Sequence, residues 1–196
     1  MNELAVIGSG EHAKVIRQIA LAAAWGTVTL FDNFDQFCNF STSNGVDEVN
    51  LKGQNFCFDG LIVGVGDNHI RRSIQQELIA KKLPLVSIVH PSAILLPPVS
   101  IDVGSVVMPG VIINSNVVVG KGCIINSGSI IEHDSVIEDY SHLCPGAVLA
   151  GGVVVKEGCF IGTGVCVRDH VTIGKNSFIG MGVRVLNDVH EGSRIK

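Results

Sequence analysis

The sequence lacks the features that mark several common classes of protein. Its 196 residues contain one Trp and one Tyr, and 14 Lys and Arg stand against 18 Asp and Glu, so a basic, aromatic-rich surface for nucleic acid is not expected. Mean hydropathy is +0.42, but no run approaches the roughly 18 consecutive apolar residues that a membrane span needs. The first residues show no basic region and no cleavage site before an apolar run begins. This start predicts a cytoplasmic protein without a membrane span.

The six cysteines include no C-x-x-C pair, so neither a redox motif nor a paired zinc ligand set is indicated. Cys123 and Cys159 fall at positions where neighbouring repeats carry small residues such as Ser129 and Ala147. A thiol at such a position acts as a compact apolar filler. We therefore expect these cysteines to pack rather than to react.

One regularity dominates the second half of the chain: every sixth residue is aliphatic, sixteen times in succession. A period of six suits a chain that turns a corner every six residues, so that each flat face contributes one aliphatic side chain to a narrow interior. The pattern predicts a parallel β-helix over residues 91–196. Its aliphatic positions are Leu95, Ile101, Val107, Ile113, Val119, Ile125, Ile131, Ile137, Leu143, Leu149, Val155, Ile161, Val167, Ile173, Ile179 and Val185.

With three faces to a coil, residues eighteen apart in the sequence stack about 4.8 Å apart, the usual spacing of strands. Sixteen hexads then give about five coils and a prism about 25 Å long. The period fails after Val185, because Glu191 stands where an aliphatic residue is due. The last residues are therefore expected to cap or leave the coil.

The first 90 residues alternate apolar runs with segments of helical spacing, which predicts a small parallel α/β domain. His90-Pro91-Ser92 then leads into the repeat, and His90 is expected to have a structural role there. The predicted order is a strand over 3–7, a glycine turn, a helix from about residue 15, strands over 28–31, 61–66 and 86–89, and a helix over 68–82 before the last strand. A polar, irregular stretch is expected over 35–54.

Polar residues follow the strands of this domain at the edge where open α/β sheets bind ligands. The turn from Gly8 to Ala13 fits G-x-G-x-x-A, in which glycines let the backbone approach a phosphate and a helix N-terminus offers free N–H groups. A complete NAD site needs a second mononucleotide-binding half, which this chain does not have. We therefore expect the domain to bind one nucleotide end of a ligand and not NAD. The alternative to ligand binding is that Asp67 or Asn68, near Arg71, serves only as the N-cap of a helix. The candidate substrate contacts are Gly8, Gly10, His12, Asp32, Asn33, Gly66 and Asn68.

Within the aliphatic repeat, the most polar triplet is Glu132-His133-Asp134, and His142 interrupts the next hexad. A neutral imidazole beside a carboxylate is suited to general base catalysis near neutral pH. Gly151 follows His133 by eighteen residues, so it should stack on the imidazole and offer a bare backbone N–H to an oxyanion. The alternative is that these are solvated corner residues.

A metal site is not predicted. The repeat carries His133, His142 and His170, but the first two are nine residues apart and fall on different faces. No histidine triplet has the vertical spacing that a zinc site of three histidines would need.

Together these residues resemble the bacterial sugar acyltransferases that include sialic acid O-acetyltransferases and the N-acetyltransferases of nucleotide-linked 4-amino-4,6-dideoxy sugars or perosamine. The resemblance covers nearly the whole chain, and the combination of segments is what makes it specific. The matching residues are Gly8, Gly10, His12, Lys14 and Val15; Asp32; Gly66-Asp67-Asn68 with Arg71; His90-Pro91-Ser92-Ala93; Ile131-Glu132-His133-Asp134; and Ser141-His142.

The resemblance implies a left-handed β-helix behind a Rossmann-like, nucleotide-sugar-binding α/β domain, and a homotrimer that uses acetyl-CoA. It implies that His133 is the general base, Asp134 its orienting partner, His142 an active-site neighbour and Gly151 the oxyanion donor. Acetyl-CoA would lie along the later coils, at Gly151, Gly152, Asp169 and His170.

Three functions stay open on this reasoning. The first is acetylation of the amine of a nucleotide-linked amino sugar, and the second is O-acetylation of sialic acid or another sugar, which would use the same base. The third is a catalytically silent β-helix that serves as a scaffold.

Overall fold

A computed structural model describes residues 2–33, 35, 37 and 58–196. The predicted irregular stretch over 35–54 lies outside the described residues except at positions 35 and 37. The chain divides into two compact units, Met1–Ile88 and Val89–Lys196. No helix within the described ranges is long and apolar enough to cross a membrane.

The described part of the first unit contains a three-stranded parallel sheet and the two helices α1 Glu11–Ala22 and α2 Asn68–Ala80. Strand β1 is central, flanked by β2 on one side and β3 on the other, and residues 4–7 of β1 are fully buried. Helix α2 begins after Asp67, whose Oδ1 accepts hydrogen bonds from the N–H groups of His69 and Ile70 at 2.9 Å. The elements are β1 Glu3–Ile7, α1 Glu11–Ala22, β2 Thr27–Phe31, β3 Gly60–Val63 and α2 Asn68–Ala80.

The sequence predicts a fourth strand of this sheet over 86–89, and this prediction is wrong. Among the described residues, one parallel bridge, between Leu85 and Leu61, connects the segment before this run to the sheet. The strand that follows, Ile88–Val89, pairs with Val106–Val107 and so belongs to the second unit's repeat. The apolar run over 86–89 therefore marks the beginning of the β-helix instead of the edge of the α/β sheet.

The second unit is a parallel β-helix with three faces. The first face holds seven strands, the second six and the third five, which makes about six coils, one more than the hexads predict. The first face consists of β4 Ile88–Val89, β7 Val106–Val107, β10 Ile124–Ile125, β13 His142–Leu143, β16 Phe160–Ile161, β19 Phe178–Ile179 and β21 Arg194–Ile195. The second consists of β5 Ile94–Leu95, β8 Ile112–Ile113, β11 Ile130–Ile131, β14 Val148–Leu149, β17 Cys166–Val167 and β20 Arg184–Val185. The third consists of β6 Val99–Ile101, β9 Val117–Val119, β12 Val136–Ile137, β15 Val154–Val155 and β18 Thr172–Ile173.

The pairing register confirms that residues eighteen apart stack. Ile113, Ile131 and Leu149, for example, lie one above the other on the second face. The aliphatic hexad positions from Val107 to Val185 are buried and form one continuous core, with Leu95 and Ile101 partly buried against it. Cys123 and Cys159 lie inside this core with no exposed surface, as their positions in the repeat predict.

The last coil continues the helix instead of leaving it. Arg194 and Ile195 pair with Phe178 and Ile179, and Val189 bridges Ile173, so residues sixteen apart are stacked here. The turn after Val185 is two residues shorter than in earlier coils. The aliphatic positions of this coil are therefore Val189 and Ile195, two residues earlier than the strict period predicts. Glu191 does not occupy a core position and is exposed.

Each coil needs one residue per corner in the left-handed region of backbone conformation. The position recurs every six residues from Gly104 to Gly182. We name three columns of this position by their members. The glycine corner is Gly110, Gly128, Gly146, Gly164 and Gly182; the Asp134 corner is Asn116, Asp134, Gly152 and His170; and the Tyr140 corner is Gly104, Gly122, Tyr140, Gly158 and Asn176.

Candidate active site

The candidate catalytic pair lies at the Asp134 corner, in the turn between the second face and the third. His133 Nδ1 is 2.7 Å from Asp134 Oδ2. A carboxylate can only accept this bond, so Nδ1 carries a proton, and in the neutral imidazole Nε2 keeps its lone pair. The two side chains are 56% and 58% exposed in the single chain. The pair thus presents an oriented, accessible imidazole whose neutral form has its lone pair on Nε2.

Asp134 is held in the ionised form by its neighbours. Its hydrogen bond with His133, followed by one from Asn116, holds the pKa of the carboxyl below its usual value, and His170 adds a smaller attraction. The backbone of Asp134 has φ near +59°, a conformation that Asp tolerates better than most residues. A carboxylate in this state can orient an imidazole and stabilise its protonated form.

Gly151 packs directly beneath the imidazole. A Cβ built on this glycine would lie 2.8 Å from Cε1 and 2.9 Å from Nε2 of His133. The ring of His133 therefore fills the space that a side chain at position 151 would occupy. Among the described residues nothing accepts a hydrogen bond from the Gly151 N–H, whereas the next N–H, that of Gly152, donates to the His133 carbonyl at 2.8 Å. A free N–H therefore lies beside the candidate base.

His170 occupies the same corner, one coil from Gly152. Its backbone N–H donates to the Gly151 carbonyl at 2.9 Å. A Cβ on Gly152 would lie 2.5 Å from its Nδ1. Asp169 and His170 are both exposed. The structure therefore brings the four residues expected at acetyl-CoA, including Gly151 and Gly152, to one corner of the β-helix.

His142 lies on another face, as its spacing from His133 predicts. It points outward from β13, buried, with Asn126 Nδ2 3.2 Å from its Nε2 and the ring of Phe160 edge-on at 5.2 Å. Because an amide nitrogen only donates, Nε2 is the acceptor and the proton is on Nδ1. In the single chain His142 therefore belongs to a separate face and does not join the His133 pair.

Two buried cysteines of the β-helix, Cys144 and Cys159, are unsuited to act as nucleophiles. Burial raises the pKa of Cys144 and of Cys159 to about 11. Both thiols are protonated at neutral pH and are poor nucleophiles. A covalent acyl-cysteine intermediate at these positions is not supported. Within residues 2–33 and 58–196, no group of three or more His, Cys, Asp or Glu side chains could hold a metal ion.

The candidate substrate residues of the first unit meet at the carboxyl ends of its three strands. Gly8 follows β1, Asp32 and Asn33 follow β2, and Gly66 follows β3. Gly8 has φ near +123°, and a Cβ there would lie 2.9 Å from the Gly64 carbonyl oxygen. Glycine is thus required at position 8, whereas Gly10 caps helix α1 with open space around it. This open helix end is suited to a phosphate.

Arg71 organises the loop after β3. Its guanidinium is 1% exposed, donates to the carbonyls of Val65 at 3.2 Å and Gly66 at 3.0 Å, and reaches Asn68 Oδ1 at 2.8 Å. The oxygen of Asn68 is therefore engaged within the protein. Burial, and then the charge of Arg71, lowers the pKa of His12 to about 4. His12 is neutral at physiological pH and would contact a ligand as a hydrogen-bonding group, not as a cation.

Sequence reasoning missed two asparagines. Asn114 Nδ2 donates to Glu132 Oε2 at 2.8 Å, and Asn116 Nδ2 donates to Asp134 Oδ1 at 3.1 Å. Each lies eighteen residues before its partner. The stacking register carries the signal, since the residue eighteen positions before a candidate lies next to it on the preceding coil.

Known proteins share this architecture over the whole chain. Residues 3–78 match the family of the PglD N-terminal domain, and residues 116–151 and 152–187 match the bacterial transferase hexapeptide family (six repeats). The acetyltransferase domain of PglB from Neisseria gonorrhoeae FA1090 is 30% identical, with a TM-score of 0.86 over 99% of this chain and 96% of that chain. A second structure of that domain is a complex with acetyl coenzyme A.

PerB from Caulobacter crescentus, solved with CoA and GDP-perosamine, is also 30% identical. The match has a TM-score of 0.85 and covers 97% of this chain and 92% of that chain. Identity at this level over nearly complete chains, together with the two family matches, establishes the relationship. The chain is an acyltransferase that belongs to the hexapeptide-repeat sugar acetyltransferases.

Proposed function

We propose that this enzyme transfers the acetyl group of acetyl-CoA to the amine of a nucleotide-linked amino sugar, with His133 as general base. The observation that carries the proposal is the arrangement at the Asp134 corner. Asp134 holds Nδ1 of the imidazole at 2.7 Å and leaves Nε2 available. The relatives support the substrate class, since the PglB domain was solved with acetyl coenzyme A and PerB with CoA and GDP-perosamine.

The transfer is direct. The sugar amine attacks the thioester carbonyl carbon, and Nε2 of His133 accepts the proton that the amine loses. The carbonyl oxygen becomes an oxyanion, to which the N–H of Gly151 donates. The C–S bond then breaks, and the protonated His133 returns the proton to the departing thiolate of CoA. Asp134 stabilises the imidazolium while it exists.

The first unit supplies contacts for the nucleotide-sugar. Gly8 and Gly10 line the open N-terminus of α1, which suits a phosphate. Asp32 and Asn33 end the neighbouring strand, where they can bind a ribose or base. Gly66 and Asn68 belong to the loop that Arg71 holds in place. Neutral His12 contributes a hydrogen bond.

We propose that the working enzyme is a homotrimer. The Asp134 corner lies between two faces with outward apolar side chains, among them Ile94 at 53% and Val118 at 46% exposure. A neighbouring protomer on these faces would bury this surface and enclose the His133 pair, which is more than half exposed in one chain. In that cleft acetyl-CoA would contact Gly151, Gly152, Asp169 and His170, and His142 would approach the reacting groups from the other protomer. Light scattering should give three times the mass of one chain, and a monomer at working concentration would contradict this proposal.

An acceptor screen tests the function. Purified enzyme is mixed with acetyl-CoA and UDP-linked, GDP-linked or CMP-linked sugars, and the released thiol is measured. We expect release with a nucleotide-linked amino sugar and an N-acetylated product by mass spectrometry. Turnover with sialic acid alone would establish O-acetylation instead, and no turnover with any acceptor would favour a scaffold.

Replacing the base should have the largest effect on turnover. We expect His133→Ala to lower kcat by about 10²- to 10⁴-fold, the usual contribution of a positioned general base, with thermal stability and oligomeric state unchanged. His190→Ala is the matched control, since His190 is exposed on the last coil away from the Asp134 corner. If His133→Ala turned over acetyl-CoA as fast as the control, the assignment of the base would be wrong.

A further inference from the structure

Asn116 contacts the carboxylate that holds the candidate base. Its side-chain nitrogen donates to Asp134 Oδ1 at 3.1 Å, and the other oxygen, Oδ2, is 2.7 Å from His133 Nδ1. The three residues form a chain across two coils. The backbone N–H of Asn116 donates to the Pro98 carbonyl at 2.7 Å, which anchors the start of this chain.

The backbone at position 116 lies in the left-handed region, which glycine adopts without a conformational cost. Asn116 has φ near +60°, and every residue of the glycine corner meets the same requirement with glycine. A side chain in this conformation has a conformational cost, which is smaller for Asn than for most residues. Residues held in sparsely populated conformations cluster at functional sites.

We propose that Asn116 is a positioning residue that fixes the rotation of the Asp134 carboxylate. By donating to Oδ1, Asn116 leaves Oδ2 directed at His133 Nδ1, so that the imidazole keeps its proton on Nδ1 and its lone pair on Nε2. This inference rests on the proposed role of His133 and Asp134. It assigns to Asn116 no contact with either substrate.

The electrostatics of the corner agree with this role. After the bond with His133, the hydrogen bond from Asn116 is the next largest cause of the lowered pKa of Asp134. Asn116 therefore also keeps the carboxylate ionised. His170 adds a smaller coulombic contribution that also lowers the pKa of Asp134.

A double-mutant cycle tests the proposal. The variants are Asn116→Gly, Asp134→Gly and both together, and each puts glycine where the backbone accepts it without strain. We expect Asn116→Gly to lower kcat by about threefold to tenfold, the net worth of a typical hydrogen bond at an exposed site, with KM for both substrates unchanged and the melting temperature not lowered. In the Asp134→Gly background the same change should have no further effect, because Asn116 acts only through Asp134.

The chain offers a matched control in Asn176, another asparagine at the same backbone conformation, φ near +56°, in the Tyr140 corner. Asn176→Gly should retain wild-type kcat. The proposal is overturned if Asn116→Gly also retains wild-type kcat, or if its effect is as large without Asp134 as with it. If His133→Ala proves active, the proposed base falls; if His133→Ala is inactive and the cycle is additive, only the role of Asn116 falls.

Discussion

Two columns of the β-helix have the same backbone and very different side chains. The glycine corner places glycine at all five of its left-handed positions, whereas the Asp134 corner places Asn116, Asp134 and His170 at three of its four. A Cβ on Gly128, Gly146, Gly164 or Gly182 would meet nothing within 4 Å. Space therefore does not explain the glycines; the backbone conformation does.

The two corners differ in whether the residue at the left-handed position is the one that this backbone conformation favours. At the glycine corner the sequence takes the residue that the turn favours. At the Asp134 corner it takes polar side chains, of which Asn116 and Asp134 share a hydrogen bond, and the remaining glycine, Gly152, leaves room for the ring of His170. The proposed site needs polar side chains around an oriented imidazole, and the Asp134 corner holds them at positions where the backbone favours glycine.

Among these glycine substitutions, we expect Gly151→Ala to have the largest effect, a loss of kcat. The added methyl group would fall 2.8 Å from Cε1 and 2.9 Å from Nε2 of His133, so the ring must move away from its position. Misplacement of a catalytic group by about 1 Å can cost about 100-fold in rate, and we expect kcat to fall by about 10- to 100-fold. Because the backbone of Gly151 is not in the left-handed region, the melting temperature should change little. A variant with wild-type kcat would show that the ring does not need to pack on Gly151.

A smaller effect separates backbone strain from crowding at the two corners. Gly146 and Gly152 have φ near +66° and +68°, but only Gly152 has a neighbour in the way, with His170 Nδ1 2.5 Å from an added Cβ. We expect Gly146→Ala to lower the free energy of unfolding by about 1 kcal/mol, from strain alone. Gly152→Ala should lower it by about 1 kcal/mol more, because the ring of His170 must move to make room for the methyl group. Chemical denaturation measures both, and a larger loss for Gly146→Ala would contradict the comparison.

Most of the β-helix could be predicted from the sequence because one side chain in six must be aliphatic and buried. This requirement fixes the register, and the register then stacks Gly151 on His133. The last coil escaped prediction because a turn two residues shorter shifts the phase, so that Val189 takes the place where the strict period puts Glu191. The strand at Ile88–Val89 was assigned to the wrong sheet because a two-residue apolar pair does not specify its partner.

Candidate site residues can be recognised in the sequence where their side chains depart from the aliphatic repeat. They cannot be recognised where the residue is one that the turn commonly holds. A histidine and an acid stand out in an aliphatic pattern, which identified His133 and Asp134. Asn116 does not stand out, since asparagine is a common residue in left-handed turns and Asn176 occupies one without contacting the site. In the first unit, Asn68 was predicted as a substrate contact, but no pattern revealed that its oxygen is held by Arg71.

The central claim is that Asp134 fixes the proton of His133 on Nδ1 and leaves Nε2 as the base. Nitrogen-15 NMR of the imidazole above neutral pH measures this directly, with His133→Ala to assign the signals. The account predicts a protonated Nδ1 and an unprotonated Nε2 for His133, and loss of this preference in Asp134→Gly. A proton on Nε2 in the unmodified enzyme would contradict the account.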